Sequence, residues 1–369
     1  MTNFDALMVV GFGGPECMDD VIPFLERVTA GRGIPRERLA EVGEHYIHFG
    51  GYSPVNEQNR GLTEALAARL RAKGFDLPVV LGNRNSPPFI TDVLSDLTDQ
   101  GARKVLALAI ASFSCYSSCR QYREDLGVAL GNLADGNVTI AKLPPFWDIP
   151  GLEDAYVEAL TAALAGLACG SCDEASAHSR RIQTPDLSKT RVMFAIHSLP
   201  LSMASTAGAK GNAYVDQQRE LSARVLARAS NQAGLDEGPT WELVYQSRSG
   251  PPHIPWLEPD ISDAITTAHE QGVTNVICVP ISFLTDHMEV IWDLDTQALE
   301  TATELGVEFT RVPTPGTNPV FLDSWAEWVA SFLTGEVRLP REGEDCFGTC
   351  CPAPPMGPPK PVVDGVVLA

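Results

Sequence analysis

The chain has 369 residues, with 27 Lys and Arg residues against 47 Asp and Glu residues, which gives a formal net charge of −20. At about 150 residues per domain the length predicts two to three domains, and so acidic a surface disfavours nucleic acids and anionic membranes as partners and favours cations. The longest apolar run, at residues 105–113, is too short to cross a bilayer, and no signal-peptide pattern opens the chain, so we expect a cytoplasmic protein without a transmembrane segment.

Strand and helix patterns alternate along the chain. Short runs rich in β-branched residues predict strands at residues 6–12, 78–81, 104–111, 138–141, 191–196, 241–245, 275–282 and 307–311. Helical periodicity predicts helices between them, at residues 59–73, 91–100, 216–232, 260–270 and 290–303 among others. This alternation predicts an α/β fold of parallel sheets flanked by helices, with functional residues in the loops that follow the carboxyl ends of the strands.

A weak internal repeat indicates how these elements are divided. Gln100-Gly101 and Gln271-Gly272 each end a predicted helix just before a predicted strand, 171 residues apart. The match reflects either convergence on a common helix-end pattern or two similar halves. We expect two doubly wound, Rossmann-like halves, at residues 1–167 and 191–340, that face a central cleft. A Cys-containing linker or insertion joins them at residues 168–190, and a Cys- and Pro-rich tail follows at residues 341–369, which is expected to be irregular unless something pins it.

Glycine-rich and aromatic loops mark the first half. The turn at residues 10–15 follows the first predicted strand, but Glu16 stands where a dinucleotide fingerprint needs its third glycine, so nucleotide binding is disfavoured. The turn either lets a flat ligand approach the backbone or is simply tight. Arg32, between two glycines, either pairs with a carboxylate or is solvated. Residues 45–54, rich in aromatic and imidazole groups and broken by Gly-Gly and Ser-Pro, predict a ligand-contacting loop.

Two segments of the second half carry candidate catalytic groups. His197 follows a buried-strand pattern, so it is either a hydrogen-bonded strand-end residue or an imidazole in the cleft that takes a proton or binds a metal. Glu289 and Asp293, four residues apart, are expected to share one face of a helix. They are either an exposed acidic helix start or hard oxygen ligands for a divalent cation. His287, two residues before Glu289, is expected to point away from that face.

Together these segments resemble the ferrochelatase family, whose members insert ferrous iron into a porphyrin. The resemblance covers roughly residues 5–335, and it rests on motifs in the family's order at residues 12–15, 45–54, 197–200, 245–248 followed by Trp256, and 282–289. Residues 46–54 are most similar to actinobacterial members, which act on coproporphyrin III. The resemblance implies a chelatase-like fold and a cytoplasmic lyase of haem and porphyrin biosynthesis that converts coproporphyrin III and Fe²⁺ into coproheme.

Other functions stay open at this point. Within the family, the substrate is alternatively protoporphyrin IX, or the inserted metal is cobalt or nickel in a related tetrapyrrole. A function of another class is a non-catalytic porphyrin or haem carrier, and a third is a redox sensor. We expect a monomer, because the sequence shows no obvious association segment, with porphyrin and ferrous iron as its partners.

The resemblance also implies roles for individual residues. His197 is the implied base, Glu289 is its acidic partner across the porphyrin, and both are implied to contact the iron, while Asp293 is the next catalytic carboxylate inward. Gln297 departs from the family pattern, in which an acid is common one turn beyond Asp293. The residues implied to contact the porphyrin are Phe12, Arg32, Tyr46, Ser53 and Trp256.

The chain has nine cysteines, several of them clustered in the sequence. Their odd number in a chain expected to be cytoplasmic disfavours a disulfide framework. The resemblance implies a [2Fe-2S] cluster with one ligand from mid-chain and three near the C-terminus. The implied ligands are Cys169, Cys346, Cys350 and Cys351, with Cys172 as a replacement for Cys169. Structural zinc on four thiolates is the alternative, because spacing alone does not separate the two metals. The other thiols are expected to be buried or incidental, namely Cys17, Cys115, Cys119 and Cys278.

Overall fold

The computed structural model describes residues 3–31, 33–133, 137–166, 186–250, 253–354 and 359–369. The first parallel sheet takes its strands from the first predicted half, in the spatial order β4-β3-β1-β2. These strands are β1 (Ala6–Gly11), β2 (Val79–Asn83), β3 (Lys104–Ala109) and β4 (Thr139–Lys142). The helices of this half are α1 (Met18–Val28), α2 (Arg36–His48), α3 (Val55–Ala72), α4 (Ile90–Asp99), α5 (Gln121–Gly131) and α6 (Pro150–Leu164).

The second parallel sheet has the spatial order β6-β5-β7-β8. Its strands are β5 (Thr190–His197), β6 (Thr240–Gln246), β7 (Asn275–Val279) and β8 (Glu308–Arg311). The helices that follow along the chain are α7 (Leu201–Ser205), α8 (Ala213–Gln232), α9 (Ile261–Glu270), α10 (Met288–Trp292), α11 (Leu299–Leu305) and α12 (Pro319–Thr334). Two π-helices, Tyr116–Arg120 and Asp293–Ala298, and a 3-10 turn, Leu187–Lys189, complete the helical elements described.

The two-sided burial of β1 explains why helices cover both faces of the first sheet. Its side chains alternate between two buried clusters, with Leu7 and Val9 in one and Ala6, Met8 and Val10 in the other. A strand buried on both faces is the expected pattern for a parallel sheet between two helical layers. The α/β prediction with parallel sheets is therefore confirmed, and every predicted strand is present within three residues at each end.

The helix predicted at residues 290–303 is wrong as a single α-helix. The chain instead forms α10, then the π-helix Asp293–Ala298, and then α11. A π-helix holds one more residue in each turn than an α-helix, so it changes which side chains share a face while leaving the apolar composition of the segment unchanged.

The largest buried cluster joins the two sheets into one core. It runs from Leu7 of β1 and Leu66 of α3 to Trp325 of α12, which means that α12 packs back against the first half. Arg69 of α3 and Lys73, the residue after α3, pair with Asp323 and Glu327 of α12 across the same junction. The predicted boundaries of the halves stay a prediction, and most of the predicted linker, residues 168–185, lies outside the described residues.

The described part of the C-terminal tail is irregular along most of its length and is pinned to the fold near its end. Its strands are β10 (Asp364–Gly365) and β11 (Val367–Leu368), and β9 (Val337–Arg338) lies just before the tail. β10 pairs in parallel with β4 and so adds a strand to the edge of the first sheet, whereas β11 pairs antiparallel with β9. Pro361 lies so close to Gly127 of α5 that a Cβ there would collide with the Pro361 carbonyl. None of the described helices is long and apolar enough to span a bilayer.

Candidate active site

His197 is the last residue of β5, at the carboxyl edge of the second sheet. The Tyr214 hydroxyl of α8 donates to the His197 carbonyl oxygen at 2.9 Å, and the Ser198 amide donates to the Gln246 carbonyl oxygen at the end of β6, at 2.8 Å. The Nδ1 atom lies 2.6 Å from the Ser198 carbonyl oxygen. Because a carbonyl only accepts, Nδ1 carries a hydrogen, and the neutral ring presents its lone pair at Nε2.

Glu289, in the first turn of α10, faces that lone pair. Its Oε2 lies 3.4 Å from His197 Nε2, with side-chain exposures of 50% for Glu289 and 30% for His197. Burial alone would lower the pKa of His197, but the attraction of the Glu289 carboxylate outweighs it and the pKa lies above its usual value. Burial would likewise raise the pKa of Glu289, yet the His197 charge brings it below its usual value. A proton on His197 Nε2 would turn this contact into a charge-assisted hydrogen bond to Glu289.

The resemblance implied that this pair lies on opposite faces of a porphyrin. A flat ring needs about 3.5 Å to each neighbour, or about 7 Å in all, which exceeds the 3.4 Å from His197 to Glu289. In the observed conformation the two groups leave no room for a ring between them. The distance instead suits a single divalent ion, since metal–ligand bonds of about 2.1 Å leave two donor atoms roughly 3–4 Å apart.

Asp293 adds a second carboxylate at the first turn of the π-helix. The Ser247 hydroxyl donates to Asp293 Oδ2, and Gln246 Nε2 donates to the same oxygen at 3.4 Å and to the Glu289 carbonyl oxygen at 3.1 Å. Ser247 reaches Asp293 from a left-handed backbone conformation, with φ of 59°. Burial is the main cause that raises the pKa of Asp293, to about 7. Its carboxyl group therefore exchanges a proton near neutral pH.

His287 also belongs to the site, although the helical pattern predicted that it points away. It precedes α10 in an extended conformation, with φ of −133° and ψ of 175°, so helical geometry does not determine its direction. Its Nδ1 lies 3.9 Å from Glu289 Oε2, and its ring packs edge-on against Phe283. Burial lowers the pKa of His287, which favours the neutral ring. Gln297, the departure from the family pattern, is exposed.

An aromatic wall leads from the glycine-rich turn to α10. The Phe12 ring, 41% exposed, meets Phe24 edge-on at 6.1 Å, and Phe24 meets Tyr46 at 6.0 Å. Phe24 and Tyr46 belong to one buried cluster with Met288, the residue before Glu289. Gly13 has φ of 84° and no room for a Cβ against Ser86, so the turn that presents Phe12 requires glycine there.

The other residues implied to contact a porphyrin differ in their exposure to solvent. Trp256 is half-buried, and its backbone forms an isolated antiparallel β-bridge with Pro200 in the loop after His197. Ser53 is only 2% exposed, Tyr46 is also buried, and Arg32 lies outside the described residues. A cavity of about 380 Å³ opens beside Phe24, lined by Arg27 and Arg60, and His197 is not part of its lining. Among these predicted residues, the structure offers Phe12 and Trp256 to a ligand most directly.

Two pairs of cysteine sulfurs lie where the tail meets the first half, and one of the four is Cys119, which was expected to be buried or incidental. Sγ of Cys119, in the π-helix Tyr116–Arg120, lies 3.7 Å from Sγ of Cys346, and the sulfurs of Cys350 and Cys351 are also 3.7 Å apart. The hydrogen bond from Cys346 lowers the pKa of the Cys119 thiol, and the nearby charge of Lys142 lowers it further. Cys169 and Cys172 lie outside the described residues.

The separation of the sulfurs within each pair is that of two thiolates on one metal ion. Two thiolates on one tetrahedral ion, with metal–sulfur bonds of ~2.3 Å, lie roughly 3.8 Å apart, which matches each pair. Among the described residues, no three His, Cys, Asp or Glu side chains converge as a mononuclear ion requires. Two thiolate pairs are the donor set of a [2Fe-2S] cluster.

Comparison with known proteins gives the chain a family context. Residues 4–333 match the family model described as Ferrochelatase. A curated relative named coproporphyrin III ferrochelatase, from Propionibacterium freudenreichii subsp. freudenreichii, is 46% identical over 361 residues, covering 95% of each chain. One of the same name from Leifsonia xyli subsp. xyli is 44% identical, covering 88% of this chain and 83% of that protein. The solved structure of SirB from Bacillus subtilis with Fe³⁺ aligns at 10% identity and a TM-score of 0.44, covering 89% of this chain and 95% of SirB.

Proposed function

The chain belongs to the ferrochelatase family, and from this premise we propose that it inserts Fe²⁺ into coproporphyrin III and releases coproheme. It is a metal chelatase, a lyase-class enzyme of haem biosynthesis, with ferrous iron as a substrate. The choice of coproporphyrin III follows the relatives, which carry that name at up to 46% identity over most of the chain. The observation that carries the chemistry is the His197 Nε2 to Glu289 Oε2 contact of 3.4 Å.

The proposed reaction needs a group that takes protons from pyrrole nitrogens. Insertion of Fe²⁺ releases two protons, and each needs an acceptor within reach. In the resting protein, the Glu289 carboxylate raises the pKa of His197 and so favours a proton on Nε2, between the two groups. Arrival of Fe²⁺ displaces that proton, because the same lone pairs bind the metal. The neutral His197 ring and the Glu289 carboxylate then hold iron on one side of the macrocycle, and the displaced proton leaves through Asp293. As iron passes to the pyrrole nitrogens, the freed Nε2 of His197 accepts one pyrrole proton and the Asp293 carboxylate accepts the other, so two protons leave the ring for each Fe²⁺ that enters.

Asp293 is proposed to move the released protons away. With a pKa of about 7, its carboxyl group both accepts and returns a proton at neutral pH. Ser247 and Gln246 hold one of its oxygens and so orient it beside Glu289. Phe12 and the half-buried Trp256 are proposed to contact the macrocycle, with Arg32, Tyr46 and Ser53 at its propionates. The buried positions of Tyr46 and Ser53 require local rearrangement before they reach a propionate.

The substrate proposal is tested by anaerobic turnover of coproporphyrin III and protoporphyrin IX with ferrous iron. We expect faster insertion into coproporphyrin III, and equal or faster insertion into protoporphyrin IX would overturn the choice. A His197→Ala variant should lose iron insertion while still binding porphyrin, as followed by fluorescence quenching. A wild-type protein that binds porphyrin without any metallation would be a carrier and would overturn the enzyme proposal.

We further propose that Cys119, Cys346, Cys350 and Cys351 hold a [2Fe-2S] cluster. This ligand set replaces the one implied by the resemblance, with Cys119 in place of Cys169. The support is the pairing of sulfurs at 3.7 Å and the pinning of the tail beside Cys119. When bound, such a cluster supplies a one-electron centre and cross-links the tail to the first half. The cytoplasmic location and monomeric state stay predictions.

The ligand set is tested with single serine variants. Cys119→Ser should lose the visible absorption, iron and acid-labile sulfide of the purified protein, whereas Cys169→Ser, Cys172→Ser and the exposed control Cys17→Ser should keep them. Loss of the cluster in Cys169→Ser or Cys172→Ser with retention in Cys119→Ser would restore the set implied by the resemblance. Zinc without sulfide or a visible band would reject the cluster.

A further inference from the structure

A buried lysine next to the cysteine site has no role in the proposed chemistry of the porphyrin site. Lys142 ends β4 and is 2% exposed. Its Nζ donates to the Leu143 carbonyl oxygen at 2.8 Å and lies 3.7 Å from Cys119 Sγ. Neither partner is a carboxylate. A buried ammonium is strongly unfavourable unless negative charge balances it, and here the group close enough to do so is the Cys119 sulfur.

A second buried cation reinforces this imbalance of charge. Arg123 of α5 is 3% exposed, and its Nε donates to the Val363 carbonyl oxygen at 2.7 Å, while its Nη1 donates to the Cys346 carbonyl oxygen at 3.2 Å. These partners are neutral. Two buried cations therefore surround a group of cysteine sulfurs, and four thiolates on iron would supply the missing negative charge.

Removal of Arg123 and removal of Lys142 should have different effects, because the two side chains hold different groups. Arg123 holds the tail in place through backbone carbonyls, so its removal disturbs the fold of the tail as well as the charge. Lys142 lies on β4 and its ammonium approaches a sulfur directly. Removing the Lys142 charge therefore perturbs the electrostatics of the site with less effect on the path of the tail.

We propose that Lys142 is the fixed positive charge that sets the reduction potential of the iron–sulfur cluster held by Cys119, Cys346, Cys350 and Cys351. The inference rests on the cluster proposed above. Reduction adds one electron, breaks no bond and moves no proton, and it takes the iron, sulfide and thiolate assembly from doubly to triply negative. A buried cation stabilises the more negative state, so Lys142 raises the potential. Lys142 is a positioning charge and does not ligate iron.

The test is an anaerobic redox titration of the purified holoprotein, with dithionite as reductant and the cluster followed by absorption and electron paramagnetic resonance. Lys142→Met should keep iron and sulfide content but lower the ratio of reduced to oxidised cluster at least tenfold at a fixed potential, a shift of about 59 mV. Lys142→Arg, which keeps the charge, should titrate close to the wild type. Lys360→Met removes the same charge from an exposed site in the tail and should leave the potential unchanged.

The outcomes distinguish this inference from the cluster proposal. An unchanged midpoint in Lys142→Met with an intact cluster overturns the role of Lys142 and leaves the cluster proposal standing. Loss of the cluster in Lys142→Met but not in Lys142→Arg supports the charge, whereas loss in both variants rejects it. A wild-type protein without iron and sulfide overturns the cluster itself.

Discussion

His197 and Glu289 are close enough to share one proton between Nε2 and the carboxylate. The Ser198 carbonyl fixes the hydrogen on Nδ1, and this leaves Nε2 as the atom that meets the carboxylate. Any cation that enters the site competes with that proton. In the proposed reaction, iron binding and the protonation of His197 are therefore coupled, and the pKa of His197 is a measurable property of the resting site.

Glu289→Gln should lower the pKa of His197. The raised pKa of His197 depends on the Glu289 charge, since burial alone acts in the opposite direction. The stabilisation of the folded state by the charged ring is present below pH ~6.5 and fades as the pH rises through the raised pKa, so the variant loses stability mainly on the acidic side. Histidine proton resonances titrated by NMR measure the shift. His269, exposed on α9, is the internal control, and an unchanged His197 pKa would contradict the pairing.

Asp293→Asn should stabilise the protein more at pH 8 than at pH 5.5. The folded-state pKa of about 7 lies above the usual value for aspartate, so the folded state holds a proton that the unfolded chain has lost. Ionisation of Asp293 therefore destabilises the fold progressively as the pH rises from about 4 to 7, and asparagine does not ionise. Thermal unfolding at both pH values gives the difference, and iron insertion should fall.

The control for this variant is an exposed carboxyl group. Asp99→Asn, at the end of α4, should change the unfolding temperature equally at the two pH values. A difference between Asp293→Asn and the wild type that does not vary with pH would show that Asp293 has an ordinary pKa.

Tyr156 of α6 binds the loop that leads to α10 and to the acidic residues Glu289 and Asp293. The Tyr156 hydroxyl contacts the carbonyl oxygens of Pro280, Ile281 and Phe283, directly after β7, at 2.8–3.1 Å. One hydroxyl hydrogen serves these acceptors, so Tyr156 fixes the loop that leads to α10 from a helix of the first half. Glu289 and Asp293 are thus positioned by packing between the halves as well as by the second sheet.

Tyr156→Phe should destabilise the protein by about 1–3 kcal/mol, because buried carbonyls lose their donor. The effect is measured by denaturant unfolding, followed together with iron insertion, which should also weaken as the loop before α10 loosens. Tyr52→Phe is the matched control, since its hydroxyl contacts Glu57 on the surface. Equal effects of the two variants would contradict a special role for the Tyr156 hydroxyl.

The elements also show where sequence reasoning succeeds. The strands were predictable because buried β-branched runs are local signals, and His197 followed from the rule that functional groups lie beyond strand ends. The π-helix at Asp293 was not predictable, since it changes the backbone hydrogen bonds and the residues that share a face without changing the composition of the segment. His287 was misplaced for a related reason, because its orientation depends on where α10 begins.

Other site residues depend on contacts between distant parts of the chain. Cys119 meets Cys346 only because the tail returns to the first sheet, and Lys142 meets Cys119 only because β4 and the π-helix Tyr116–Arg120 are neighbours. No local pattern around Cys119 distinguishes it from Cys115. The pairing of β10 with β4 likewise lacks a local signal, since β10 has just two residues.

At the scale of the whole molecule, the tail links both halves through the cysteine site. The Gly208 amide donates to Cys351 Sγ at 3.2 Å, and the Ala209 amide donates to Asp345 Oδ1 at 2.9 Å, both from the loop after α7. Arg123 and β4 hold the same tail on the first half. The cysteine site is therefore a junction of three segments.

Removal of iron from the proposed cluster should make the tail accessible to protease. Anaerobic chelation is expected to speed tryptic cleavage after Arg341, because the tail would lose its cross-link while its short strands remain. Mass spectrometry of timed digests measures the rate, with cleavage after Arg71 in α3 as the control. Identical tail cleavage before and after chelation would contradict a cross-linking role.

The addition of β10 to the first sheet has a consequence for biosynthesis. A ribosome makes β4 long before β10, so throughout translation of the second half the nascent first sheet presents an uncovered edge. The partners of Cys119 likewise emerge last. Loading of the proposed cluster would then be a late maturation event. A premature stop upstream of the tail would yield a chain with both sheets but an open edge for intermolecular pairing.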